Sequence, residues 1–195
     1  NSPPQPGSFS VTPGSGFALN ETFSFVASKW VDSDLPITYQ FGYLTASGEF
    51  TSLVSPSENT FSYLTLAAGS SSASYAVTCV SRIFDSLAAG SSSSAAVTVK
   101  PGAPMSLAQM SAYVNSTLTA GSGSSDSLKQ SVALTSYVLN AEDCSATACS
   151  TEVIVAKVSA RNSVIGNIAV LADLDDPTEQ TVTGLMTSLA SVTQN

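Results

Sequence analysis

The chain contains no histidine, only six basic residues and a single tryptophan among its 195 residues. Without histidine there can be no Ser-His-Asp arrangement, no Cys-His pair, no histidine-ligated zinc and no ordinary proton shuttle at neutral pH. The six Lys and Arg are scattered singly from Lys29 to Arg161 against 14 Asp and Glu, giving a net charge of −8. Proteins that grip nucleic acid neutralise phosphates with clustered cations. No such cluster exists, which excludes nucleic acid and anionic membrane surfaces as partners. The Gly-Ser runs lack the Lys of a phosphate-binding loop. No apolar run reaches the ~20 residues needed to cross a bilayer; the longest candidate, 165–174, is broken by Asn167 and Asp173. Any membrane link is therefore expected through parts of a longer protein outside this segment. The chain opens at Asn1 with neither Met nor signal peptide, and we expect it to be a segment of a longer precursor. Three cysteines are too few for a disulfide scaffold and too spread for a metal knuckle.

Charged residues make up 10% of the chain, against about a quarter in ordinary domains. In their place stand 37 Ser and 19 Thr. Hydrophobic residues reach 43% and the mean hydropathy is +0.23, enough apolar material for a sizeable core and unlike a disordered polar chain. The surface should be neutral and rich in hydroxyls.

The pattern changes near residue 101. Thirteen of fifteen aromatics precede it, and only Tyr113 and Tyr137 follow. Aromatic and β-branched residues favour strands. Strands are predicted over 8–12, 21–28, 36–44, 50–54, 60–66, 73–82 and 94–100. Phe23, Phe25 and Ala27 share one face, as do Ile37, Tyr39, Phe41 and Tyr43, a period of two. The runs 69–72 and 90–94 read as flexible loops. Seven short strands at this spacing predict an immunoglobulin- or fibronectin-like β-sandwich over 1–101. Pro101-Gly102-Ala103-Pro104 marks a boundary, and the period then becomes 3.6. Ser106 and Gln109 form a capping box, followed by Leu107, Met110, Val114 and Leu118 on one face. A second helix opens at Asp126 with Leu128, Val132, Thr135 and Leu139. A third runs over about 151–171 with Ile154, Val158, Ile165 and Ile168 inward. Asp176-Pro177-Thr178-Glu179 starts a fourth. The fold class is thus β and α in separate domains: a sandwich, then a small helical bundle over 102–195.

Acidic clusters are the only catalytic candidates. Asp32 and Asp34 lie just before a strand; Asp173, Asp175 and Asp176 lie before the last helix. Paired carboxylates in such loops can bind Ca²⁺, but turn and cap chemistry is the preferred reading, and no spacing suggests a glycosidase pair. Trp30 reads as core and not as a ligand platform. No enzyme activity, catalytic residue, metal or cofactor is expected. Cys144 and Cys149 bracket four residues and are expected to form a disulfide, with Cys79 buried and reduced. Asn20 and Asn115 head N-x-Thr acceptors, each expected where an element meets a turn. With the cysteine pair they favour a secreted or cell-surface setting.

Pro4, Pro6-Gly7, Phe9, Val11, Pro13, Gly16, Ala18 and Thr22, followed by Trp30, Asp32, Asp34, Pro36, Tyr39, Phe41 and Tyr43, resemble the REJ (receptor for egg jelly) module. That module occurs in sea-urchin sperm receptors and in the receptor-like branch of the polycystin family. The later run 80–88 is similar to its strand ending in a Val-x-Asp-x-x-Gly turn, with Phe84 and Ala88 at the Val and Gly positions. The resemblance implies that residues 102–195 correspond to the helical part of a GAIN (autoproteolysis-inducing) domain; the His-Leu-Thr/Ser self-cleavage element is absent. The Ala/Ser/Gly-rich style is similar to green-algal flagellar surface proteins. Together these imply a non-catalytic extracellular module of a polycystin-like receptor or ciliary surface protein, on the extracellular side of the cell or ciliary membrane. Its work would be adhesion, spacing or mechanical coupling. Its partners would be other extracellular proteins or glycans. The alternative is a carbohydrate-binding or accessory domain of a secreted hydrolase, which needs exposed aromatics on one sheet face, with Tyr39, Phe41 and Tyr43 as candidates.

Overall fold

A computed structural model describes residues 1–141 and 150–174, with side chains through Leu171. The chain divides into two compact units, Asn1–Gly102 and Ala103–Asn195.

In the first unit the period-two pattern builds eight strands: β1 (Ser8–Thr12), β2 (Ser15–Phe17), β3 (Thr22–Ser28), β4 (Thr38–Leu44), β5 (Phe50–Ser57), β6 (Phe61–Thr65), β7 (Ala76–Phe84) and β8 (Gly90–Lys100). They form two sheets, β1-β3-β6 and β2-β8-β7-β4-β5. The expected sandwich is what the chain forms. Phe23, Phe25 and Ala27 of β3 are fully buried, as are Phe41, Ile83 and Val99 of the second sheet. Phe9, Phe25 and Phe41 join the sheets through ring centroids 6.0–6.2 Å apart, a separation at which aromatic pairs attract beyond their burial.

Several strand boundaries differ from the sequence pattern: β5 runs on to Ser57, past the expected end at 54, and β4 starts at Thr38 and not at 36. β2 is only Ser-Gly-Phe and has no alternation to betray it. It exists because the chain leaves the first sheet at Pro13-Gly14 and lies parallel to β8, with Thr98 N donating to Gly14 O (2.9 Å) and Ala18 N to Lys100 O (2.8 Å). The serine run 90–94 is not a loop: Ser91–Ser94 pair with Ile83–Val80 of β7. Ladder bonds impose strand on residues of weak intrinsic preference. Residues 71–73 form a 3-10 turn capped by Ser70, so β7 starts at Ala76.

β4 lies between β7 and β5, and residues on both of its faces are buried. Gln40 is buried and its Nε2 donates to Ser52 Oγ (3.1 Å). Gly42 has no side chain, which leaves room for the Phe50 ring, and the Arg82 guanidinium stacks 4.0 Å from that ring's centre.

In the second unit the described helices are α1 (Leu107–Gly121), α2 (Ser125–Asn140) and α3 (Thr151–Leu174). The Ser106–Gln109 capping box is present in full. Met110, Val114 and Leu118 of α1 and Leu128, Val132, Thr135 and Leu139 of α2 are buried as their spacing predicts. In α3 one of the four expected inward residues, Ile168, is buried, and the rest of the inward face is different. Lys157, Val164, Ile168 and Leu171 are buried, while Ile154, Val158 and Ile165 are exposed. The helix carries Val and Ile on every side, so periodicity cannot choose a face. By length and composition α3 could cross a membrane, against the sequence expectation. Its apolar residues are interrupted by polar ones, so no unbroken run marks it in the sequence, but its mean hydropathy over Thr151–Leu171 is high. The helix expected from Asp176 onward falls outside the described residues.

Candidate functional site

The site lies at one end of the sandwich, where the β3–β4 connection meets the β7–β8 turn. β3 ends at Ser28, and Lys29 turns the chain with a φ of +62°. Trp30 then drops into the core at 7% exposure, so it is not a platform for ligands. Val31 O accepts from Gln5 N (2.8 Å), which ties the N-terminal segment across this corner. Asp32 makes the expected turn: its Oδ1 accepts the Asp34 amide at 2.8 Å. Asp34 O accepts the Ser86 amide at 3.1 Å and so links the connection to the β7–β8 turn. Pro36 follows a cis peptide bond and leads into β4. Along β4, Tyr39 and Phe41 are buried and Tyr43 is half-buried. Burial raises the phenol pKa of Tyr39 and of Tyr43. None of the three offers an exposed aromatic face.

The residue that sequence reasoning missed is Asp85. It follows β7 directly and is 5% exposed. Its Oδ1 accepts the amides of Leu87 (2.9 Å) and Ala89 (2.8 Å), which closes the turn into β8. Ala88 sits in that turn at φ +64°, the left-handed region glycine favours. Asp85 Oδ2 is shut off from solvent and has no hydrogen-bond partner. The folded chain brings Asp85 to Asp32 and Asp34, with one carboxylate oxygen of each within 4.8 Å of the others. No Lys or Arg pairs with any of them among the described residues. Two such charges repel by about 3.5 kcal/mol at that distance and an effective dielectric of about 20. Asp85 was visible in the sequence only as the Asp of a turn; its partnership with Asp32 and Asp34 arises from strand order.

Other singled-out residues lie apart. Cys79, on β7, is fully buried and unpaired, and burial pushes its thiol pKa up to about 12. Asn20 is exposed in the β2–β3 turn. Asn115 is also exposed but lies mid-way along α1, not at an end, and its carbonyl accepts Thr119 Oγ1 (2.8 Å). The helix continues past it because Leu118 and Gly121 still pack inward. Cys144, Cys149, Asp175 and Asp176 are outside the described residues, and Asp173 lies within α3. A second surface feature is on β6: Phe61 and Tyr63 are 53% and 65% exposed, side by side with centroids 5.9 Å apart.

A two-sheet sandwich with a buried Trp corner and an Asp-bounded strand turn, followed by helices, defines a module of the β-sandwich class. Comparison with known families is specific: the REJ domain matches residues 1–137. The chain belongs to the REJ domain family. The match runs past residue 101 through α1 and most of α2. No curated protein matches the chain. A solved structure from work on "carbohydrate-binding modules from the beta-sandwich super family" is similar at 20% identity over 52% of this chain, with a TM-score of 0.39. This chain covers 36% of that one, and a likeness at this score carries no argument.

Proposed function

We propose that this chain is a non-catalytic extracellular module of a polycystin-like membrane receptor or ciliary surface protein, serving adhesion, spacing or mechanical coupling. The observation that carries the reading is the REJ family match over residues 1–137, since REJ domains are found in the extracellular regions of membrane receptors. The two acceptor asparagines and the hydroxyl-rich surface agree with that setting. Strand geometry supports the mechanical part. β2 and β8 are parallel, with Ser15, Gly16 and Phe17 opposite Thr98, Val99 and Lys100. Tension entering before β2 and leaving after β8 pulls these strands past each other, so their hydrogen bonds are loaded together and not one by one. Stretching tandem copies of the chain between their ends tests this. The sandwich should unfold in one distinct force peak. Smooth extension without a peak contradicts a load-bearing role.

Phe61 and Tyr63 favour a second reading, in which β6 binds glycans. Sugars stack on exposed aromatic faces, and these two stand beside the outward Ser24 and Val26 of β3. Glycan-array binding that is lost in Phe61→Ala/Tyr63→Ala would select it over a purely mechanical module.

A further inference from the structure

We propose that Asp32, Asp34 and Asp85 form a Ca²⁺ site that clamps the β3–β4 connection to the β7–β8 turn. Two independent observations carry it. The first is the convergence of three carboxylates, from segments some fifty residues apart in sequence, to within 4.8 Å of one another with no basic residue paired to them. The second is the state of Asp85. The residue is only 5% exposed, one oxygen is committed to the Leu87 and Ala89 amides, and the other has no partner. A sealed carboxylate oxygen with nothing to accept from is costly unless something positive meets it.

The chemistry selects the ion. Every ligand is a hard oxygen; there is no histidine in the chain and no cysteine in the cluster, which disfavours zinc and copper. Three carboxylates leave positions for water and backbone oxygens. Ca²⁺ accepts that irregular shell, whereas Mg²⁺ demands a near-octahedral one. Asp32 and Asp34 are only half-buried, so the ion has a path from solvent. Bound there, it would convert mutual repulsion into a cross-link between the two loops that close this end of the sandwich.

The whole chain, freed of divalent ions with chelator, should be titrated with CaCl₂ by calorimetry and melted with and without the ion. We expect one ion per chain with a Kd of about 10⁻⁴ to 10⁻³ M, the range of extracellular modules. At about 10 mM Ca²⁺ the melting temperature of the sandwich should rise by at least about 5 °C. Asp34→Asn is the informative variant, because the Asp34 carboxylate takes part in no hydrogen bond that holds the fold. In chelator it should melt no lower than the parent, because one of the repelling charges is gone, yet it should bind Ca²⁺ at least about tenfold more weakly. Asp85→Asn retains an oxygen for the two turn amides and should show the same loss. No heat and no shift at about 10 mM overturns the site, as does unchanged Ca²⁺ binding in Asp34→Asn. An equal stabilisation by Mg²⁺ at the same concentration overturns the assignment to Ca²⁺.

Discussion

The sandwich and the helices are built from the same charge-poor, hydroxyl-rich material, yet they satisfy it differently. Along β3 in the sandwich, Ser and Thr alternate with core residues and point outward, with Thr51 and Ser81 as buried exceptions on β5 and β7, while the backbone is paired across strands distant in sequence. In the helices the hydroxyls turn back on the helix itself. Thr135 Oγ1 donates to Ser131 O at 2.7 Å, Ser136 Oγ to Val132 O at 2.6 Å and Ser131 Oγ to Ser127 O at 2.8 Å. Such self-bonding lets Ser131, Thr135 and Ser136 be buried without orphaned groups. A hydroxyl-rich sequence can therefore fill either architecture, but the sheet gets its identity from aromatics and the helices from a few aliphatic residues and caps.

Trp30→Ala is the strongest way to test whether the two regions are separately stable. Truncating a buried aromatic of this size costs about 3–5 kcal/mol, against about 5–15 kcal/mol for a whole domain. In urea, the loss of sheet structure should move to much lower denaturant while the helical circular dichroism signal at its own midpoint stays. Coincident loss of both signals would merge the regions into one cooperative unit and break the comparison.

Glycines give a smaller contrast. A Cβ on Gly42 would collide with Thr51 O and stand 2.8 Å from the Phe50 ring, whereas one on Gly123, between α1 and α2, meets nothing within 4 Å. Gly42→Ala should cost about 1–3 kcal/mol by overpacking; Gly123→Ala should stay within about 0.5 kcal/mol. Thermal melts of both decide it, and equal effects would show that β4 yields as easily as a loop. Smaller again is Ser106→Ala. It removes an oxygen that accepts the Gln109 amide at 3.3 Å, which should cost about 1 kcal/mol. That loss should be seen only in the helical transition.

Much of the sandwich is legible because aromatics mark its inward faces: Phe23, Phe25, Tyr39 and Phe41 are where a period of two puts them. The capping box at Ser106 is legible because it is local. What escapes is anything fixed by pairing at a distance. β2 and the first residues of β8 are strands only because each lies beside another. The face of α3 escapes for a different reason, since an all-round apolar helix has no preferred side until its neighbours choose one. At the candidate site, Asp32 could be read as a turn residue from its spacing to Pro36. Its meeting with Asp85 requires the connection after β3 and the turn after β7 to share one end of the fold, and no short-range pattern contains that.

Cys79 provides the last contrast, one that is silent at neutral pH. The thiol is fully buried on β7, and burial raises its pKa from 9.0 to about 12. Below the unfolded pKa both states keep the proton, and the stabilisation is fully present. Above it the unfolded chain ionises while the folded one does not, so stability falls as pH rises through the window from 9.0 to about 12. Tyr39 and Tyr43 are shifted in the same direction by burial and add a decline of the same sign. Cys79→Ala removes only the thiol part. It also leaves a cavity, but that cost is the same at every pH and appears as a constant offset. Urea midpoints of the parent and Cys79→Ala at about pH 8 and about pH 10 isolate the slope. The parent should lose stability faster than the variant over this interval, with Cys144 and Cys149 cancelling because both proteins carry them. Parallel lines would mean that the thiol ionises as readily in the folded sandwich as in the unfolded chain, and that β7 does not seal it.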